Sequence, residues 1–124
     1  MDKDCIFCKI VKGELPAKFI IKGENFVCFK NIYPVAPVHV LIIPKKHIKN
    51  LSEVRELDKD VLAEIQISIP KIAKKLGIFD SFRLLSSNGK DAGQTINHLH
   101  YHLVGGWKKS TDEDMGINPG SLKI

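Results

Sequence analysis

Arginine is scarce in this chain of 124 residues: Arg55 and Arg83 are the only two, although lysine carries the formal net charge to +5. Proteins that hold nucleic acid usually combine a tight basic stripe with aromatic platforms on which bases stack. Aromatics make up only 7% of this chain, and its lysines are scattered. Nucleic acid is therefore not the expected partner, and the basic balance points to a small phosphate-bearing ligand. No apolar run approaches the roughly 20 residues of a membrane span. Met1-Asp2-Lys3-Asp4 lacks the apolar stretch of a signal peptide. The expectation is a cytoplasmic protein with no membrane partner. Cysteine is sparse and odd in number, at three, which argues against a complete disulfide framework. No Gly-x-x-x-x-Gly-Lys-Ser/Thr occurs, which removes ordinary P-loop chemistry. Internal repeats are absent too, and the length suits one domain with one sizeable core.

What is present reads as short elements around one long helix. Ile6, Phe7 and Ile10 give residues 5–11 one apolar side, and Gly13 and Pro16 end that short helix. Residues 18–22 and 25–30 are β-prone and separated by Gly23-Glu24, the spacing of a hairpin. Two prolines in residues 31–37 demand a loop. Residues 38–43 form a β-rich run containing His39, stopped by Pro44 before the basic turn Lys45-Lys46-His47.

Ser52 is a suitable N-cap, with Glu53 and Glu56 in the turn where a helix favours negative charge. Leu57, Val61, Leu62, Ile65, Ile69, Ile72 and Ala73 then recur at helical spacing as far as Leu76. Pro70 inside that pattern predicts a kink or break. Residues 82–86 and 96–104 read as further strands, and Cys28, in an apolar run, as a core thiol. The order implies an α+β fold. It has an antiparallel sheet of about five strands, one long helix and a short N-terminal helix. Residues 1–107 would form the domain and residues 108–124 a polar C-terminal tail that contacts a partner.

Three of the five histidines sit at every second position in Asn97-His98-Leu99-His100-Tyr101-His102-Leu103. On a strand, residues i, i+2 and i+4 share a face. The three imidazoles would stand together, with Leu99, Tyr101 and Leu103 buried behind them. A lone histidine is ordinarily a packed core residue, but packing does not ask for three on one face. Two chemistries do. One is a metal held by imidazoles with an open water position. The other is nucleophilic attack on phosphorus by a neutral imidazole, with neighbouring histidines orienting it and offsetting charge. The Gly-punctuated loop 89–95, with Gly93, Gln94 and Thr95, would supply a phosphate cradle.

Gly93-Gln94-Thr95 followed by His98-x-His100-x-His102 resembles the histidine triad (HIT) family, in its phosphoramidase-like branch. The likeness extends through Ile6-Phe7-Cys8-Lys9-Ile10, Pro16-Ala17-Lys18, Ala36-Pro37-Val38-His39 and Pro44-Lys45-Lys46-His47. It implies a nucleotide hydrolase or transferase that cleaves purine nucleoside 5′-phosphoramidates or related conjugates through a nucleotidyl-histidine intermediate. Dinucleoside polyphosphate hydrolysis, or nucleotide binding with weak catalysis, are the alternatives. By resemblance His100 is the nucleophile, with His39, His98 and His102 completing the catalytic group. Ile6, Phe7, Ile10, Phe29 and Ile32 match the apolar pocket for the base. Gly93, Gln94 and Thr95 match positions at the phosphate or leaving group. Asn31 stands where the family usually has an aspartate that accepts bonds from the ribose hydroxyls. Ser87 replaces an asparagine near the phosphate, with Asn88 beside it. The resemblance also implies a homodimer whose sheets join across the interface.

Cys5-x-x-Cys8 has no strand before it, as a thioredoxin-like redox motif would. A structural zinc needs two further ligands. Bacterial HIT proteins that resemble this chain pair such cysteines with two histidines. By that likeness Cys5, Cys8, His47 and His98 would bind zinc.

Overall fold

The computed structural model of the chain describes residues 4–108, 122 and 124. Helix α1 (Ile6–Lys12) starts at Cys5, whose thiol accepts from the Cys8 amide at 3.3 Å, and stops at Gly13 with φ 82°. Strands β1 (Phe19–Lys22) and β2 (Phe26–Lys30) form the expected hairpin, and β3 (Val38–Pro44) follows the proline loop. Helix α2 (Lys59–Lys75), β4 (Phe82–Leu85) and β5 (Tyr101–Gly105) complete the domain. The five strands make one antiparallel sheet in the order β1-β2-β3-β5-β4. This is the α+β architecture read from the sequence.

The sheet has a different core on each face. Period-two alternation sends Phe26, Cys28, Val40, Ile42, Leu99, Tyr101 and Leu103 toward α2, where they meet Ile65, Ile69, Ile72 and Ala73. The opposite set, Val27, Phe29, Leu41 and Ile43, packs against Cys5, Phe7, Cys8 and Ile10 of the α1 region. Cys28 is fully buried, and burial pushes its thiol up to about 12. It is the inert core thiol that its apolar run implied.

The start of the long helix differs from the sequence reading. Asn50, rather than Ser52, caps a short 3-10 turn at Leu51–Glu53, and a second turn at Glu56–Asp58 precedes α2. Leu57, assigned by periodicity to the buried face, is 63% exposed. Buried Asp58 closes this entry by accepting from the Arg55 amide and pairing with Lys46. That bond with Lys46, its largest influence, holds the carboxyl below its usual range. Pro70 does not end α2. It lies on the exposed side, where the carbonyl it leaves unbonded can turn to water. No helix of the described residues is long and apolar enough to cross a membrane.

Residues 109–121 and 123 lie outside the described part, and with them most of the tail expected over 108–124.

Candidate active site and metal centre

Only His102 of the clustered histidines lies in a strand; residues 96–98 form a bend, and β5 begins at Tyr101. The alternation nevertheless persists, because Leu99, Tyr101 and Leu103 all enter the α2-side core. The Leu99 amide bonds to the Ile48 carbonyl at 2.6 Å, which anchors this stretch without a strand ladder. His98, His100 and His102 are thereby buried on the α1 side, at 0–1% exposure. His39 of β3 joins them from the neighbouring strand.

Hydrogen-bond accounting fixes each ring. His100 Nδ1 lies 2.7 Å from the His98 carbonyl, so Nδ1–H donates and Nε2 keeps its lone pair. His39 Nδ1 accepts from the Val35 amide at 3.1 Å, which puts the proton of the neutral ring on Nε2. That Nε2–H donates to His102 Nδ1 at 2.8 Å. The His102 proton is then on Nε2, a buried atom with no hydrogen-bond partner among the described residues. The His100 and His102 ring centroids are 5.2 Å apart. A bare ring nitrogen and an N–H donor without a partner among the described residues therefore belong to adjacent rings.

Burial keeps these rings neutral. It lowers His39 to about 4, and lowers His102 to about 3 with help from the neighbouring rings of His100 and His39. Burial also lowers His100, partly opposed by the backbone oxygens of His98 and Ile124, which would favour the doubly protonated ring. Phe7 meets both His98 and His100 edge-on, with centroids 5.8 and 5.1 Å away, and so holds both rings in place.

A second cluster stands immediately beside the first. The ligand atoms of Cys5, Cys8, His47 and His98 all lie within 4.8 Å of one another. Nδ1 of His98 is 3.2 Å from Cys5 Sγ and 3.2 Å from His47 Nδ1, and Cys8 Sγ is 3.3 Å from His47 Nδ1. A tetrahedral zinc with ordinary Zn–N and Zn–S bonds has N–N edges of about 3.3 Å and S–N edges of about 3.6 Å. The spacing thus fits a four-coordinate ion. His98 Nε2–H donates to the Pro44 carbonyl at 2.8 Å, leaving Nδ1 free to ligate, as an outer-shell partner does. Clefts open beside this cluster, one lined by Lys46, His47, Arg55 and Asn97 and another by Asp4, Cys5, Thr95 and Asn97.

The glycine loop is built differently from a phosphate cradle. Gln94 is buried and fully engaged: Oε1 accepts from Gly89 N and Asn50 Nδ2, while Nε2 donates to the carbonyls of Lys49 and Ile96. The amides of Gly89, Ala92, Gly93 and Gln94 are all spent inside the protein. Gln94 therefore ties the loop to residues 49–50, and Asn88 adds a bond to the Leu51 amide. Gly93 supplies the turn with φ 94°. Ser87 is half-buried, and Thr95 is exposed. Of the expected base-pocket residues, Phe7, Ile10 and Phe29 are buried together on the α1 side, whereas Ile6 and Ile32 are 48% and 75% exposed. Asn31 is buried, with Oδ1 accepting from the Tyr33 amide at 2.8 Å and Nδ2 3.2 Å from His39 Nε2.

The backbone groups that set the tautomers, Val35 N–H and the carbonyls of Pro44 and His98, carry no side-chain signature and were not legible beforehand.

The sequence pattern of the HIT domain matches residues 12–109. The chain belongs to the HIT domain family. Protein HitA of Neisseria gonorrhoeae is 41% identical over 102 residues, covering 82% of this chain and 95% of its own. Among solved structures, a HIT family hydrolase from Clostridium thermocellum superposes on this HIT protein with a TM-score of 0.84. It is 43% identical over 91% of this chain and 99% of its own. A histidine triad nucleotide-binding protein from Candida albicans gives a TM-score of 0.74 at 34% identity, covering 90% and 89% of the two chains.

Proposed function

We propose that this HIT protein hydrolyses purine nucleoside 5′-phosphoramidates or related nucleotide conjugates through His100. The observation that carries this reading is the 2.7 Å bond from His100 Nδ1–H to the His98 carbonyl, which leaves Nε2 unprotonated beside a His102 Nε2–H that has no hydrogen-bond partner among the described residues. In the first step His100 Nε2 forms a bond to phosphorus as the phosphorus–nitrogen bond of an N-protonated phosphoramidate breaks. The electron pair leaves with the amine. His102 Nε2–H donates to a phosphoryl oxygen and offsets the charge that gathers there. Water then attacks phosphorus, the bond to Nε2 breaks, and the proton that water gives up leaves on the amine. The histidine is restored, and a nucleoside monophosphate is the product.

Exposed Ile6 and Ile32 offer apolar surface for a purine, and buried Phe7, Ile10 and Phe29 are the remaining members of that apolar group. Asn31 takes the ribose position, and Ser87, Asn88, Gly93, Gln94 and Thr95 border or brace the phosphate end, Gln94 through the loop it holds. The names of the relatives, a hydrolase and a nucleotide-binding protein, support the same class of ligand. Cys5, Cys8, His47 and His98 would hold zinc, which when bound supplies a rigid cross-link between α1 and the segment carrying the nucleophile. His98 belongs to both clusters, ligating through its ring and orienting His100 through its carbonyl. A homodimer through the outer edge of β4 is part of this reading. Among the described residues no strand pairs there, and Phe79 and Phe82 beside it are 53% and 36% exposed.

Purified His100→Ala should lose at least a thousandfold in turnover of adenosine 5′-phosphoramidate while still binding AMP in calorimetry. Hydrolysis near the wild-type rate would refute the assignment. A panel of dinucleoside polyphosphates in the same assay separates the two HIT activities by rate. If no substrate turns over but AMP binds, the protein is a nucleotide-binding module.

A further inference from the structure

Asn31 is neutral, buried, and in contact with the catalytic group through its amide nitrogen. Its orientation follows from its neighbours. The Tyr33 amide needs an acceptor and takes Oδ1 at 2.8 Å, so Nδ2 is the atom turned toward His39 Nε2, 3.2 Å away. His39 Nε2 itself carries a proton, because Nδ1 is occupied as an acceptor of the Val35 N–H. Two donors therefore face each other at this contact, and no bond forms between them. Among the described residues the His39 proton has one acceptor within reach, His102 Nδ1 at 2.8 Å.

We propose that Asn31 is a positioning residue that denies His39 a competing acceptor, so that the His39 proton is committed to His102 and His102 presents N–H on its far nitrogen. A carboxylate at this position would bond to the Tyr33 amide with one oxygen and place the other, a stronger acceptor than an imidazole nitrogen, against His39 Nε2–H. The proton would then be drawn away from His102. The pair would also gain an anionic neighbour and hold an extra proton more readily. With the amide, its partially positive NH2 faces the pair, which favours the neutral form. The groups facing His39 are His102 and, beyond it, His100 from the β5 segment, and Asn31 and the Val35 amide from the loop before β3. Its low affinity for a second proton has burial as its cause, with no carboxylate or ammonium of the described residues contributing.

This inference deepens the catalytic reading of the triad and rests on it for its functional meaning, but its test does not need turnover. The full-length protein, labelled with 15N in its imidazoles, reports which ring nitrogens are protonated. In the wild type, His39 and His102 should both show protonated Nε2 and bare Nδ1 from pH 8 down to about pH 5. In Asn31→Asp the titration of His39 should move up by at least one pH unit, and the acid limb of kcat/KM should move with it. Asn31→Ala, which removes the Tyr33 acceptor without adding a carboxylate, should leave the His39 titration within half a unit of wild type.

Three results would overturn the proposal. One is a titration in Asn31→Asp within half a unit of wild type. Another is an equal shift in Asn31→Ala, which would trace the effect to the loop. The third is a wild-type His39 protonated on Nδ1. If the spectra agree but no nucleotide conjugate is hydrolysed, the hydrolase reading fails and the positioning role stands.

Discussion

Acid should destabilise this protein through His39, and the size of the effect can be worked out. The imidazole sits at 5% exposure with its proton affinity lowered from 6.5 to about 4 by burial. In the unfolded chain the ring takes up its second proton near 6.5, so between pH 6.5 and 4 the unfolded state binds more protons than the native state. Stability therefore rises with pH across that window. The contribution is fully present above about 6.5, is lost as pH falls toward 4, and does not change further below it. At about 1.4 kcal/mol per unit, the whole gap is worth about 3 kcal/mol, of which about 2 kcal/mol goes between pH 7 and pH 5. A second proton would also turn Nδ1 into a donor facing the Val35 N–H, so relaxation offers no inexpensive escape.

Urea unfolding of wild type and His39→Gln at pH 7 and pH 5, both in the same metal-loaded state, isolates this ring. Other acid-sensitive groups, including the metal ligands, are shared by the two proteins. The wild type should lose about 2 kcal/mol more than the variant, which is about 1 M in urea midpoint for a domain of this size. Equal losses within 0.5 kcal/mol, or a wild type that gains stability in acid, would refute the reasoning.

Protein purified without chelator should carry close to one equivalent of zinc, and Cys8→Ser should lose it; less than a tenth of an equivalent in the wild type would rule the site out for the isolated form. Zinc removal should also lower the melting temperature, because the four ligands tie the start of α1 to residues 47 and 98, which are distant in sequence. Gln94→Leu strands Gly89 N–H, the Asn50 amide and the carbonyls of Lys49 and Ile96, and should cost about 2–4 kcal/mol in thermal or urea unfolding. A cost under 1 kcal/mol would mean that the loop is held by something else. Phe82→Glu at the β4 edge should convert a dimer to a monomer in light scattering, and an unchanged mass would move the interface elsewhere.

How much of this could be read beforehand varies by element, for physical reasons. The hairpin, β3 and α1 follow from local signals: turn residues at Gly23-Glu24, a β-branched run before Pro44, and Gly13 in a left-handed conformation. The long helix was legible in its middle, where Ile65, Ile69 and Ile72 repeat against the sheet. Its start was not, because Leu57 continues the apolar rhythm while Asn50 and Asp58 hold the chain in 3-10 turns by contacts distant in sequence. The Cys5, Cys8, His47 and His98 cluster came from a resemblance, and the fold brings all four together. By resemblance Gln94 falls at the phosphate or leaving group; its bonds give it a further role in holding the loop, invisible without knowing that Lys49 and Asn50 lie opposite.

The period of two in the histidine segment predicted a shared face, yet the chemistry depends on where each ring's second nitrogen goes. Those partners are backbone groups: Pro44 O for His98, His98 O for His100 and, for His39, the Val35 amide. His102 is the exception and is set by His39, its neighbour across the β3–β5 pairing, where His39 lies opposite Val104 and Leu41 opposite His102. Sliding this segment by one residue would turn three imidazoles into the α2-side core and Leu99, Tyr101 and Leu103 out of it. Each imidazole without a partner there would cost about 1–3 kcal/mol, with the burial of three large apolar side chains lost besides. The same register that buries the leucines thus decides which histidine nitrogen is bare and which carries a proton. The division of roles among the histidines follows from strand pairing as much as from the identity of the residues.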